Sequence, residues 1–190
     1  MWEDIKFGMA ALAWACVLLA LSNLSIWDRP QQTTMIQLAP VESVATPQRA
    51  WVLISEKIKW CKLSRSCLVM AEAIVYEARS EPAVGQYAVG WVIRNRVESS
   101  YWRNTVSSVV YQSKQFSYTA DKHSQRKPTK IAWTNAYIVG YDVLNDKVES
   151  PVGNATHYYS TSMLQKAPRW AKNMNYIADI ANHKFLEEMR

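Results

Sequence analysis

A glutamate standing where a helix should be apolar is the first candidate for chemistry in this chain. In residues 68–97, LVMAEAIVYEARSEPAVGQYAVGWVIRNRV, Leu68, Ala71, Ile74 or Val75, and Ala78 recur at helical spacing and predict one buried face. Glu81 precedes Pro82, and a residue before proline is biased out of the helical region. The pattern therefore breaks near Ser80-Glu81 and restarts with Pro82 in the first turn of a second helix. Glu77 falls in the last turn of the first helix. The helix dipole and burial both disfavour a negative charge there, which favours the protonated form that a general acid needs. The alternative is a surface Glu77 paired with Arg79 or Arg94.

Other reactive side chains are few. His123, His157 and His183 are the only histidines and show no HxH or HExxH spacing, so a zinc site would need ligands gathered over long range. Of three cysteines, Cys61 and Cys67 flank a basic stretch just ahead of the Glu77 helix, and Cys16 lies far upstream. In an oxidising compartment Cys61 and Cys67 can close a short loop; otherwise they are small buried thiols.

The elements that must position these groups follow from periodicity. Val84, Ala88, Trp91 or Val92, and Asn95 continue a stripe after the break, widened by Val89, Ile93 and Val97. A short helix is expected at about 105–111 and irregular chain after it. Ala132, Ala136, Val139 and Val143 predict a helix over 129–145 that Thr129 can cap. Gly153-Asn154 turns into ATHYYS, a short strand, whereas 174–186 reads equally as helix or strand. Ahead of these, Trp51, Ile54, Ile58 and Cys61 share a helical face.

The chain has 190 residues, enough for one domain plus appendages, with 49% hydrophobic and 20% charged residues, which argues against wholesale disorder. Its formal charge of +6 favours polyanions or anionic surfaces. No DNA-reading motif or arginine-rich run accompanies the charge, so nucleic acid is not an expected partner. Nine Trp and ten Tyr supply flat apolar faces with polar tips, suited to sugar rings, membrane interfaces or cores.

Phe7 to Trp27, FGMAALAWACVLLALSNLSIW, carries no charge and is about the 20 residues a membrane-crossing helix needs. A cleaved signal peptide and a core helix compete with this reading, but Glu3 and Asp4 beside Lys6 make a poor positive n-region. Residues 1–27 are therefore read as a transmembrane signal anchor and 28–50 as a flexible tether. Residues 51–190 are read as the folded domain, held on the outer side of an inner membrane.

Four blocks in register, EARSEPAVGQYAVGWVIRNRV, NTVSSVVYQSKQFSY, NATHYYS and NHKF, resemble the SleB-type cell wall hydrolases. The resemblance runs from about Leu68 to Phe185. It implies an α+β, mainly α, lysozyme-like catalytic domain, preceded here by the N-terminal helix. It also implies cleavage of peptidoglycan glycan strands, with Glu77 on the family's catalytic acid and no cofactor. Gln115, Phe116, Tyr118, Thr156, His157, Tyr158 and Tyr159 become candidate substrate contacts, and His183 a structural hydrogen bonder. Ser80 stands where the family usually has Gly, so a positive φ there would be strained.

Hydrolysis of a glycosidic bond usually needs two carboxylates. Glu72 lies about 140° round the helix from Glu77, and Glu81 lies across the break, leaving Asp121 as the best second candidate. A lytic transglycosylase needs only one, because the muramic acid's own C6 hydroxyl is the acceptor. That activity is the first expectation. A hydrolytic muramidase, a zinc amidase and a non-catalytic envelope protein are the alternatives. The weakly apolar anchor also resembles those of signal-anchor-release phage endolysins; on release, Cys16 would be free to attack a Cys61–Cys67 bond. A static staple is the simpler possibility.

Overall fold

One helix ends at Ala78 and Pro82 stands at the N-cap of the next, and the rest of the domain packs around this pair. The structure, a computed structural model, describes residues 46–120, 127–162 and 166–189. Five α-helices run Pro47–Leu63 (α1), Arg65–Ala78 (α2), Ala83–Glu98 (α3), Val106–Val110 (α4) and Lys130–Leu144 (α5). A three-stranded antiparallel sheet follows, with strands His157–Ser160 (β1), Met174–Ile180 (β2) and His183–Glu188 (β3) in the order β1-β3-β2. Short 3-10 turns occupy Ser117–Thr119 and Arg169–Asn173. The α+β, mainly helical expectation therefore holds for the described residues.

The core lies among α2, α3, α4 and α5. Val69, Met70, Ala73, Ile74 and Val75 of α2 are buried, and α3 is buried on nearly every side from Ala88 to Ile93. Gly140 of α5 lets the helices close up: a Cβ there would stand 3.1 Å from Cys67 Sγ. Caps fix the helix starts. Ser64 accepts from the Cys67 amide, Thr105 forms a capping box with Ser108, and Thr129 accepts from the Ala132 amide.

Phe185 packs into this core from β3, and the register sets which side chains face it. Tyr158 pairs with Phe185 and Ser160 with His183, whereas His157 pairs with Leu186 and Tyr159 with Lys184. Alternation then puts Tyr158, His183 and Phe185 on the inner face and His157, Tyr159 and Lys184 on the outer. The ambiguous 174–186 stretch is a hairpin, because Ala181 takes a positive φ of 51° and Asn182 turns the chain. Helical spacing was present in that stretch, but cross-strand pairing decided it.

Several expectations are corrected. Pro47 to Ala50, placed in the tether, are the first turn of α1, where proline's missing N–H costs nothing. On the face that Trp51, Ile54, Ile58 and Cys61 were expected to share, Trp51 is 71% exposed and only Cys61 is buried, since α1 makes its packing later, through Lys57, Trp60 and Cys61. Ser80 is not among the residues with positive φ, so serine in place of glycine carries no backbone strain here. Among the described residues no helix is long and apolar enough to cross a membrane, and the expected anchor at 1–27 lies outside them.

Candidate active site

Glu77 ends α2 with its side chain turned inward beneath the sheet. Oε2 accepts a hydrogen bond from the Tyr158 hydroxyl at 3.2 Å, and Oε1 is buried with no hydrogen-bond partner. Burial raises the carboxyl pKa above its ordinary value of 4.5. The Tyr158 hydroxyl, the Arg96 charge and the Ser117 backbone amide pull the other way, by less. The amide of Ser117 approaches without making a geometric hydrogen bond to Oε1. The result is a carboxyl kept protonated further toward neutral pH, with one oxygen hydrogen-bonded and the other buried without a hydrogen-bond partner. Tyr158 is itself raised well above 10 by burial, so its hydroxyl stays a donor.

The arginines proposed as surface partners go elsewhere. Arg94 binds Glu98, Asp146 and the Val143 carbonyl, and Arg79 lies over the Tyr76 ring. The cation that does bear on Glu77 is Arg96, which is 4% exposed. Its Nε donates to the Thr156 carbonyl at 2.6 Å, and its guanidinium stacks on Trp102 at 4.1 Å and Phe116 at 5.5 Å. Burial lowers its pKa to about 10, which leaves it charged. Nη1 has no partner. Arg96 was missed in the sequence although a signal existed: with Val89, Val92 and Ile93 it completes an i, i+3, i+4, i+7 stripe, a position that asks for an apolar residue.

The seven expected substrate contacts do not form one wall. Phe116 and Tyr118 are 1% and 0% exposed: they are core residues, with Tyr118 stacked on Tyr76 at 4.7 Å. Thr156 is likewise buried, occupied through its carbonyl by Arg96 and through Oγ1 by His157 Nδ1 at 3.0 Å. Gln115 is half-buried in the turn before Phe116. Tyr158 faces Glu77, whereas His157 and Tyr159 face outward, against Trp102 and Trp170. Burial, with a smaller push from Arg96, lowers His157 to about 4, so it is neutral near pH 7.

Glu81, set aside as lying across the helix break, is buried at 8% exposure and fully employed. Its Oε1 accepts from Asn182 Nδ2 at 3.1 Å and its Oε2 from the Asn182 amide at 3.3 Å. Gly85 makes room for it, since a Cβ there would stand 2.9 Å from Glu81 Cβ. His183 Nδ1 lies 3.9 Å from Glu81 Oε1 without a hydrogen bond, and the His183 ring packs edge-on against Tyr158 at 5.3 Å. His183 is therefore a packing residue rather than the hydrogen bonder expected. Glu72 accepts from the Tyr111 hydroxyl at 2.7 Å, away from Glu77. Asp121, the expected second carboxylate, and His123 lie outside the described residues.

His157 and His183 project from opposite faces of the sheet, so these two cannot share a tetrahedral metal. Among the described residues no three His, Cys, Asp or Glu side chains gather as a metal site. Cys61 and Cys67 are joined as a disulfide with Cα atoms 5.0 Å apart, and both are 0% exposed. Cys16, the thiol expected to attack this bond on release, lies outside the described residues. The disulfide joins the end of α1 to the start of α2.

A sequence profile described as Cell Wall Hydrolase matches residues 80–186, beginning just past Glu77. The chain is 34% identical over 119 residues to the spore cortex-lytic enzyme of Bacillus cereus, spanning 62% of this chain and 42% of that protein. The spore cortex-lytic enzyme of Halalkalibacterium halodurans is 34% identical over 117 residues, 62% of this chain and 33% of the relative. The chain thus spans less than half the length of these curated relatives. Among solved structures, the catalytic domain of the germination-specific lytic transglycosylase SleB from Bacillus anthracis aligns with a TM-score of 0.54 at 32% identity. That alignment covers 65% of this chain and 96% of that one. The catalytic domain of the Bacillus cereus SleB protein aligns with a TM-score of 0.54 at 32% identity, over 64% and 89% of the two chains.

Proposed function

Because this chain belongs to the cell wall hydrolase family, we propose that it cleaves peptidoglycan glycan strands between N-acetylmuramic acid and N-acetylglucosamine as a lytic transglycosylase. The observation that carries this reading is the single enclosed carboxyl of Glu77, raised by burial, with Oε2 on Tyr158 and Oε1 unoccupied. The protonated carboxyl donates its proton to the glycosidic oxygen as the bond to C1 of the muramic acid breaks. The resulting carboxylate takes the proton from that sugar's C6 hydroxyl as the oxygen closes on C1, forming the 1,6-anhydro ring. One carboxylate acts in turn as acid and base, and the proton count closes without water. The Tyr158 hydroxyl and the Arg96 charge stabilise the carboxylate between the two transfers.

No second carboxylate among the described residues is offered for a water-activating role. Glu81 is held by Asn182 and Glu72 by Tyr111. The lytic transglycosylase named among the similar structures adds support. The test is mass spectrometry of the muropeptides released from purified sacculi. Ends of 1,6-anhydro-muramic acid are expected. Reducing ends throughout would make water the acceptor and Asp121 the suspected base, and release of free peptides from intact glycan would mean an amidase.

Placement follows from the sequence upstream. The uncharged run 7–27 supports a membrane anchor that holds the domain toward the cell wall. Carbonate-resistant membrane fractionation of the full chain is the expected outcome, and recovery of a shortened soluble form would mean a cleaved leader instead.

A further inference from the structure

The outer face of the sheet carries a row of aromatic and cationic groups that the cleavage chemistry does not use. Tyr159 on β1 pairs with Lys184 on β3, and the Lys184 ammonium lies 5.3 Å from the centroid of the Tyr176 ring on β2. Trp170, from the 3-10 turn Arg169–Asn173, extends the row at β1, its ring 6.0 Å from Tyr159 and 5.4 Å from His157. The strip thus runs from Trp170 to Tyr176 at right angles to the strands, roughly 10 Å of it from β1 to β2. Strand alternation puts it on the face opposite Tyr158 and Glu77, so it is not part of the proton-transfer site.

These rings are poorly used as core. Trp170 is 41% and Tyr176 58% exposed, and the turn bearing Trp170 buries none of its residues. Exposed rings that form one continuous surface mark a place of contact. Their chemistry suits a sugar polymer: flat faces stack on pyranose C–H groups, and phenol and indole tips bond to hydroxyl and acetamido groups. The cations fit the acidic groups of such a polymer. Arg169 and Lys172 are exposed and paired with no carboxylate among the described residues, while Lys184 is held by Asp179 at 2.8 Å and 2.9 Å. A lipid surface fits less well, because Leu186, the leucine on this face between His157 and Tyr176, is buried and unavailable to insert, and the strip contains Asp179.

We propose that this strip is a second glycan-contact surface, on which an acidic peptidoglycan strand lies across Trp170, Tyr159 and Tyr176 while another is cut at Glu77. The inference rests on the proposed peptidoglycan-cleaving reading but concerns retention on the polymer rather than bond cleavage. Such a surface keeps the enzyme on an insoluble wall between cleavage events, an avidity gain that needs no change at the active site.

The test uses the full chain carrying Glu77→Gln, so that binding to purified sacculi is measured without turnover. Adding Trp170→Ala or Tyr176→Ala is expected to weaken co-sedimentation by about five-fold each, the scale of one aromatic contact. With Glu77 intact, the same two substitutions are expected to leave cleavage of short soluble glycan fragments at the parent rate. Tyr176 serves as the second variant because it is exposed and outside the packed core, and circular dichroism checks the fold of both. If both variants bind sacculi as tightly as the parent, the inference is overturned while the proposed activity stands. If their loss appears instead on vesicles of anionic phospholipid, the strip is a lipid contact and the inference also falls. A parent that neither binds nor cleaves sacculi overturns the proposed function itself.

Discussion

The Tyr158 hydroxyl donates to Glu77 Oε2 at 3.2 Å, joining the first strand of the sheet to the end of the second helix across 81 residues of sequence. The bond favours the carboxylate, against burial, which favours the acid and is the larger effect. Tyr158 thereby sets how far the Glu77 carboxyl is raised without reversing the direction.

Tyr158→Phe removes the hydroxyl and keeps the ring packed against Phe185 and His183. With that support for the anion gone, the Glu77 pKa rises further. The acid form persists to higher pH, so the alkaline limb of the pH–activity profile should move upward, while maximal activity falls because the carboxylate intermediate is less stabilised. Turnover of solubilised glycan by both proteins across the pH range measures this. A limb that stays in place or moves down contradicts the assigned role.

Glu77→Gln preserves size and removes the titrating proton. Loss of a general acid should cut the rate by about 10²–10⁴-fold. Stability should respond in the opposite sense. A folded-state pKa above the unfolded 4.5 gives wild-type protein a stabilisation that is complete below 4.5 and lost as pH rises through the folded value. Glutamine has no such loss, so the variant should gain stability relative to wild type as pH increases through that window. Thermal melts of both proteins at acidic and neutral pH give the difference, and a gap that does not widen with pH would show that Glu77 is not desolvated.

How far the sequence reveals this site depends on the range of the interaction concerned. The helix break, the cap at Thr129 and the position of Glu77 are set by neighbours within a turn or two, and local spacing reads them. The partners of Glu77 are not local. Tyr158 reaches it only through the β1–β3 register, which also turns Tyr159 away and divides seven residues expected to act together. Phe116 and Tyr118 resemble sugar-stacking residues in composition, and only the helices packed around them show that they are core. Arg96 broke an apolar stripe and was legible on that ground. Trp170 sits in a 3-10 turn with no periodicity to mark it.

The disulfide should contribute roughly 2–4 kcal/mol, so Cys61→Ser with Cys67→Ser should lower the melting temperature by roughly 5–15 °C. Because both sulfurs are buried, mild reductant should leave the folded domain intact, and labelling of Cys61 and Cys67 should appear only on unfolding. Gly140→Ala probes the same contact from α5. In an open helix the change would gain about 1 kcal/mol. Here the new Cβ would meet Cys67 Sγ at 3.1 Å, and the disulfide prevents that sulfur from turning aside. Net destabilisation of roughly 1–3 kcal/mol is expected by denaturant titration. A stabilised Gly140→Ala protein would mean that the helices separate at little cost.

Glu81 should prove to be a positioning residue for the Tyr158–Glu77 pair. Its two oxygens accept from the Asn182 amide and side chain, which anchors the β2–β3 turn to the junction between α2 and α3. The next residue, His183, packs edge-on against Tyr158, so the turn and the Tyr158 hydroxyl are located together. Glu81→Gln keeps one acceptor and turns a donor toward a donor, costing about 1–3 kcal/mol for a buried, formerly charge-assisted pair. Gly85→Ala should act on the same residue by another route, since its Cβ would stand 2.9 Å from Glu81 Cβ. Both variants should lose more kcat than substrate affinity, because they shift the acid relative to the bond and leave the outer face untouched. A double-mutant cycle of Glu81→Gln with Asn182→Ala should show coupling. Additive effects on stability, or a change in KM with kcat preserved, would place Glu81 outside the machinery that holds Tyr158 on Glu77.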